Sequence, residues 1–120
     1  MKKELETMWA AALRSGKYKQ TKGALRTDEG YCCIGVLCDL VDPAGWHSKD
    51  SSGFYPWGNH AYTGNIPFLI ADEIGARAHV EWLPTLNDRG KTFEEIAVLI
   101  EAGLNADELK ATVKALSEPA

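Results

Sequence analysis

A chain of 120 residues, 45% hydrophobic and 25% charged, can bury one core without metal or disulfide staples, and this composition excludes a disordered or fibrous protein. The formal charge of −4 and the pI near 5.3 exclude a surface built to neutralise the phosphates of polymeric DNA or RNA. A small phosphorylated ligand is compatible with that charge, because a few local Arg or Lys residues suffice to hold it.

Glu4 and Glu6 interrupt the N-terminal segment and no apolar run follows it, so it does not read as a signal peptide. No stretch approaches the roughly 18 apolar residues needed to span a membrane. The expectation is a cytoplasmic protein whose three cysteines are free thiols.

Leu5, Met8, Trp9 and Leu13 recur at helical spacing and predict a first helix that stops near Ser15-Gly16. Residues 17–31 alternate around Tyr18 and Gln20, carry Gly23 and Leu25, and contain an Asp28-Glu29-Gly30 turn, which predicts a small irregular hairpin. In the run "YCCIGVLCDL", residues 31–40, Ile34, Leu37, Cys38 and Val41 mark an amphipathic helix ended by Asp42-Pro43 and Gly45. Residues 46–66 mix aromatics with Gly, Ser, Asn and Asp, predicting short strands joined by turns or a long ordered loop.

A short helix follows over "PFLIADEIG", with its proline at the first helical position. "LNDRG", residues 86–90, reads as an Asx-type turn that leaves Asp88 and Arg89 as polar groups at a helix entrance. Thr92 and Glu95 make a capping box, Phe93, Ile96, Ala97 and Ile100 make a stripe, and Gly103 closes that helix. Asn105 and Glu108 cap a last helix carrying Leu109, Val113 and Leu116. The expected fold class is α+β: a mostly α-helical single domain, residues 1–120, with a small antiparallel sheet or hairpins.

The cysteines invite three chemical readings. Metal binding is not expected, since zinc needs about four Cys or His ligands at paired spacing. Cys32 or Cys33 stands at a helix N-terminus, where the dipole favours a thiolate, and His60 or His79 is available as a base. Against that, cysteine packs as a small hydrophobe, which is the favoured reading and the one assigned to Cys38. Cys32, Gly35, Val36 and Asp39 share a second helix face on which a glycine implies a close approach, by another element or by a ligand.

The aromatic segment holds Trp46, Phe54, Tyr55, Trp57, His60 and Tyr62 beside Asn59. Aromatic faces stack on nucleobases and amides read their edges, although rings of this kind also fill cores. Lys17, Lys19, Lys22 and Arg26, interleaved with Tyr18 and Gln20, form the basic cluster. The candidate ligand site therefore comprises Lys17, Tyr18, Lys19, Gln20, Arg26, Trp57, Asn59, His60 and Tyr62. In it Trp57 or Tyr62 stacks on a base, and Arg26 with Lys17 or Lys19 faces phosphate. The phosphate-loop, dinucleotide, hydrolase-elbow and zinc-protease motifs do not occur, so no catalytic residue, metal or cofactor is assigned.

"WAAALRSGKYKQ", "YCCIGVLCDL" and "LNDRGKTFEEIA", in that order over residues 9–101, resemble a family of short, uncharacterised tailed-bacteriophage proteins. The resemblance implies a host-takeover or counter-defence factor, and some such families sequester or cleave the nucleotide second messengers of bacterial immunity. The expected function is sequestration of a small nucleotide signal, a cyclic dinucleotide or an ADP-ribose derivative, in the cytoplasm of an infected host. The alternatives are a small hydrolase or phosphodiesterase acting on such a signal, and a protein-binding inhibitor of a host enzyme. A homo-oligomer is expected, with the pocket near a subunit contact and the last helix as a candidate contact.

Overall fold

The computed structural model describes residues 1–117. They form six α-helices and a two-stranded antiparallel sheet, an α+β fold built around one hydrophobic core. Helix α1 (Lys3–Arg14) buries Trp9, Ala10 and Leu13 and packs chiefly against α5 (Phe93–Glu101) and α2 (Cys33–Val41). Met8, placed on the apolar stripe by its spacing, is 52% exposed, because the buried arc centres on Trp9 and Ala10 and Met8 falls at its edge.

Helix α2 is the centre of the molecule. Every residue from Cys33 to Cys38 is buried, so the helix is enclosed on several sides rather than amphipathic, and only toward its end does Val41 reach solvent. Its second face meets the hairpin: a Cβ at Gly35 would run into the Leu25 carbonyl, and that same oxygen accepts the Cys32 N–H at 3.1 Å. The close approach implied by this glycine is therefore made by protein backbone.

Strands β1 (Arg26–Thr27) and β2 (Gly30–Tyr31) pair antiparallel across the Asp28-Glu29 turn, with Arg26 opposite Tyr31. Gly30 sits at φ +153 directly over the Lys19 carbonyl, which accepts the Tyr31 N–H at 2.8 Å. That crossing lays residues 17–21 alongside the hairpin. Residues 46–62 follow as a long ordered loop with isolated strand-like bridges, Thr27 to Phe54, Trp46 to Trp57 and Trp57 to Tyr62.

After the short α3 (Phe68–Glu73), capped by Pro67 and closed at left-handed Gly75 (φ +71), comes α4 (Arg77–Asp88). The sequence reading assigns no helix to this segment, and Pro84 explains why. A proline inside a helix removes one hydrogen bond and interrupts the pattern; here the freed Val80 carbonyl is taken by Asn65 Nδ2 at 3.4 Å. The supposed Asx turn at residues 86–90 is in large part the last turn of α4. Asn87 is fully buried, Asp88 Oδ1 accepts the Gly23 N–H at 3.2 Å, and Arg89 donates to the Ser117 carbonyl at 3.0 Å. Asp88 and Arg89 thus serve local structure.

The capping box of α5 forms as expected, Thr92 Oγ1 accepting the Glu95 N–H and Glu95 Oε1 accepting the Thr92 N–H. Asn105 and Glu108 cap α6 (Ala106–Ser117) in the same reciprocal way. Leu109 and Val113 are buried against the chain's own core, with α4 as the neighbouring helix. This corrects their candidacy as a subunit contact, since packing α6 on α4 consumes that face and leaves Leu116 exposed at its end. Among the described residues no helix is long and apolar enough to cross a membrane.

Candidate functional site

The thiols are all free and buried. Burial pushes Cys32 up to about 11 and holds Cys33 and Cys38 well above the ordinary thiol range. The position of Cys32 as N-cap of α2, its sulfur accepting the Gly35 N–H at 3.3 Å, does not offset the loss of water, which supports the favoured packing role over the nucleophile alternative. His79 is no base for them: it is buried edge-on against Trp9 at 5.8 Å, and among the described residues its Nδ1 has no partner. Among the described residues no group of three or more His, Cys, Asp or Glu side chains is placed to hold a metal.

The nine residues assigned to a ligand site do not share one cavity. Lys17, Lys19 and Arg26 line a concavity of about 320 Å³ with Thr27, Asp28, Glu29, Gly30, Tyr31 and Tyr55. Trp57, Asn59, His60 and Tyr62 line a different cleft of about 430 Å³, floored by Pro67, Leu69 and Ile70 and edged by Asp42 and Glu73. Trp57 is 5% exposed and its Nε1 donates to the Asp42 carbonyl at 3.0 Å, so it is a core residue and offers no face to a base. His60 and Tyr62 lie tilted to one another at 5.9 Å, at and just beyond a turn in which Ala61 takes a left-handed φ of +53.

Tyr18 and Gln20 also leave the site. The Tyr18 hydroxyl donates to Asp39 Oδ2, and burial together with that carboxylate raises its pKa. Asp39 Oδ1 meanwhile accepts Trp46 Nε1 at 2.9 Å. Gln20 Nε2 donates to Asn87 Oδ1 at 2.9 Å and to the Lys91 carbonyl at 2.8 Å, and Gln20 Oε1 accepts the Phe93 N–H at 3.2 Å. Both side chains join elements rather than face a ligand.

Arg26 is the centre of the basic concavity. Its guanidinium carbon lies 5.0 Å from the Tyr31 ring centroid, 5.3 Å from Trp46 and 4.6 Å from Tyr55. Aromatic faces attract the cation and fix its plane, but they use none of its five N–H donors. Among the described residues no carboxylate or carbonyl accepts from it. The wall beside it is set by Asp28, whose Oδ1 accepts the Tyr55 hydroxyl at 2.7 Å and whose Oδ2 accepts Lys49 Nζ at 2.6 Å. The Lys49 and Tyr55 hydrogen bonds hold the Asp28 carboxyl below its usual range, and Asp28 in turn raises Tyr55, which keeps the phenol a donor.

Thr27, Asp28, Glu29, Gly30, Tyr31 and Tyr55 line this concavity without belonging to the site read from the sequence, and Trp46 adds a ring against Arg26. The Asp-Glu-Gly turn and the aromatic segment were both visible as local features. What pairs them is the contact of Tyr55 N–H with the Arg26 carbonyl at 2.9 Å, a long-range hydrogen bond with no local signal.

A further concavity, about 540 Å³, lies between Met1, Leu5, Val41 and α3. Lys2, Asp72 and Glu73 also line it, and Asp72 is engaged by Arg77 at 3.1 Å.

No curated protein and no solved structure matches the chain. A family model described as a domain of unknown function, DUF8296, matches residues 1–63, which include α1, the hairpin, α2 and most of the aromatic loop. With more than half of its 120 residues matched, the chain belongs to the DUF8296 family.

Proposed function

We propose that the protein binds a small anionic nucleotide in the concavity around Arg26 and acts by sequestering it. The observation that carries this reading is the aromatic-held guanidinium, its five donors unused among the described residues, beside Lys17 and Lys19. A guanidinium fixed in plane loses little freedom on meeting phosphate, and two flexible lysines add charge without a second fixed geometry. Tyr31 and Tyr55 supply ring surface at the same place, suited to a base or its edge.

The resemblance to short phage proteins supports the finer reading, a counter-defence factor in the cytoplasm of an infected host that withholds a cyclic dinucleotide or an ADP-ribose-derived signal. In this reading a second copy of the chain closes the open side of the concavity, and light scattering with and without nucleotide measures that part separately.

The test is incubation of the protein with a panel of cyclic and ADP-ribose-derived nucleotides, followed by chromatography before and after heat denaturation. Depletion of one nucleotide and its intact return on heating is the expected result. Its chemical loss favours the hydrolase instead, and no depletion of any nucleotide overturns the reading. Arg26→Met keeps an apolar chain among the three rings and removes the charge. A well-folded Arg26→Met protein that still depletes the nucleotide would place the site elsewhere, with the His60 and Tyr62 cleft next in line.

A further inference from the structure

The concavity around Arg26 is not purely cationic, and the states of its two carboxylates differ. Both oxygens of Asp28 are occupied, one by Lys49 and one by Tyr55. The Glu29 carboxylate lines the same concavity and takes no donor among the described residues. It is carried on the two-residue turn between β1 and β2, one residue before Gly30, whose backbone is fixed over the Lys19 carbonyl. Its own N–H donates to Thr27 Oγ1 at 3.1 Å, so the turn that presents it is held from both sides.

A carboxylate at this place opposes a bare phosphate or sulfate. It suits a ligand that brings hydroxyl donors together with its anionic group, because an ionised carboxylate is an acceptor only and takes two neighbouring hydroxyls on its two oxygens. The ribose of a nucleotide carries such a pair, and an acidic side chain placed on ribose hydroxyls is a recurring solution for holding it. The 2′-deoxy sugar lacks one of the two donors and leaves one carboxylate oxygen unpaired on binding.

We infer, on the nucleotide reading proposed above, that Glu29 accepts the 2′-hydroxyl of a ribose, together with the 3′-hydroxyl where that is free, while Arg26 holds the phosphate, so that the site takes ribonucleotides in preference to 2′-deoxyribonucleotides. The ligand class is thereby narrowed to nucleotides with a free ribose diol on at least one sugar, or with a free 2′-hydroxyl where the 3′-oxygen is esterified. Glu29 is the specificity-determining residue and Arg26 the affinity-determining one.

Titration calorimetry with ADP-ribose and with cyclic di-AMP, each beside its 2′-deoxy counterpart, tests this on the whole chain. The expected result is a preference for the ribo form of roughly tenfold or more, the scale of one lost hydrogen bond to a charged group. In Glu29→Gln, which keeps the shape of the side chain, the preference should fall to about threefold or less while Arg26→Met weakens ribo and deoxy forms alike. Equal binding of ribo and deoxy forms to the parent protein, or an unchanged preference in Glu29→Gln, overturns the role of Glu29 and leaves the nucleotide reading standing. Binding of neither ligand pair overturns the role of Glu29, and the nucleotide reading is then decided by the depletion panel.

Discussion

Asn87 Oδ1 accepts the backbone N–H of Cys33 at 3.2 Å, which ties the last turn of α4 to the first turn of α2. The same oxygen accepts Gln20 Nε2, and Asn87 Nδ2 donates to the Thr21 carbonyl at 2.8 Å. One fully buried amide therefore satisfies three groups from two separate segments, residues 20–21 and the start of α2. Asn87→Ala leaves the Cys33 N–H and the Thr21 carbonyl without partners, and should cost roughly 2 to 5 kcal/mol of stability. Urea unfolding followed by circular dichroism reads this directly, and a midpoint within error of the parent's would show that the network contributes nothing net.

Gly35→Ala separates helix propensity from packing. On an exposed helix the change would stabilise by roughly 1 kcal/mol, but here the new methyl meets the Leu25 carbonyl. The hairpin must then move off α2, and the variant should lose about 1 to 3 kcal/mol. Because Leu25 precedes Arg26, ligand binding at the concavity should weaken as well. A variant more stable than the parent would show that the hairpin yields freely.

His79 makes stability depend on pH in a defined direction. Burial, and then the charge of the N-terminal ammonium, lower its pKa from 6.5 to about 4. The folded state thus binds a proton less readily than the unfolded state, so this contribution is fully present above pH 6.5 and is lost as pH falls toward 4. The loss amounts to roughly 3 kcal/mol at most. His79→Phe keeps an aromatic ring against Trp9 and removes both the unpartnered Nδ1 and the titration. Its unfolding free energy should change less between pH 7 and pH 4 than the parent's, and parallel pH profiles for the two proteins would refute the assignment.

The thiols should be chemically silent in the folded state. Burial raises all three, so iodoacetamide at pH 8 should label none of them before unfolding and all three after it. Cys38→Ser places a hydroxyl among Ile34, Leu37 and their neighbours and should cost roughly 1 to 3 kcal/mol. Rapid labelling of the native protein at any one cysteine would reopen the case for a nucleophile.

Local rules carried the helices whose ends and faces agree. Thr92 with Glu95 and Asn105 with Glu108 are capping pairs three residues apart, and the stripes that follow them are complete, so α5 and α6 were legible before any tertiary contact was known. The Asp28-Glu29-Gly30 turn was legible for the same reason, since a turn is decided by neighbours in the chain. Helix α4 was not, because Pro84 breaks the local pattern and the cost is offset by Asn65, which lies outside the helix altogether.

The candidate site divides along the same line. Residue type alone marked Arg26, Lys17 and Lys19 as a basic group and residues 46–62 as an aromatic one. Which rings would face the guanidinium was decided by pairing across the chain: Tyr55 docks on the Arg26 carbonyl and Trp46 is anchored to Asp39, while Trp57 turns inward to Asp42. Sequence by itself determined the helix caps, the turn and the kinds of side chain available. Tertiary structure alone decided that Tyr18 and Gln20 are structural, that all three thiols are buried, and that the aromatic loop serves two separate concavities. Burial and long-range hydrogen bonding, which settle those outcomes, are properties of neighbours in space and leave no period in the sequence.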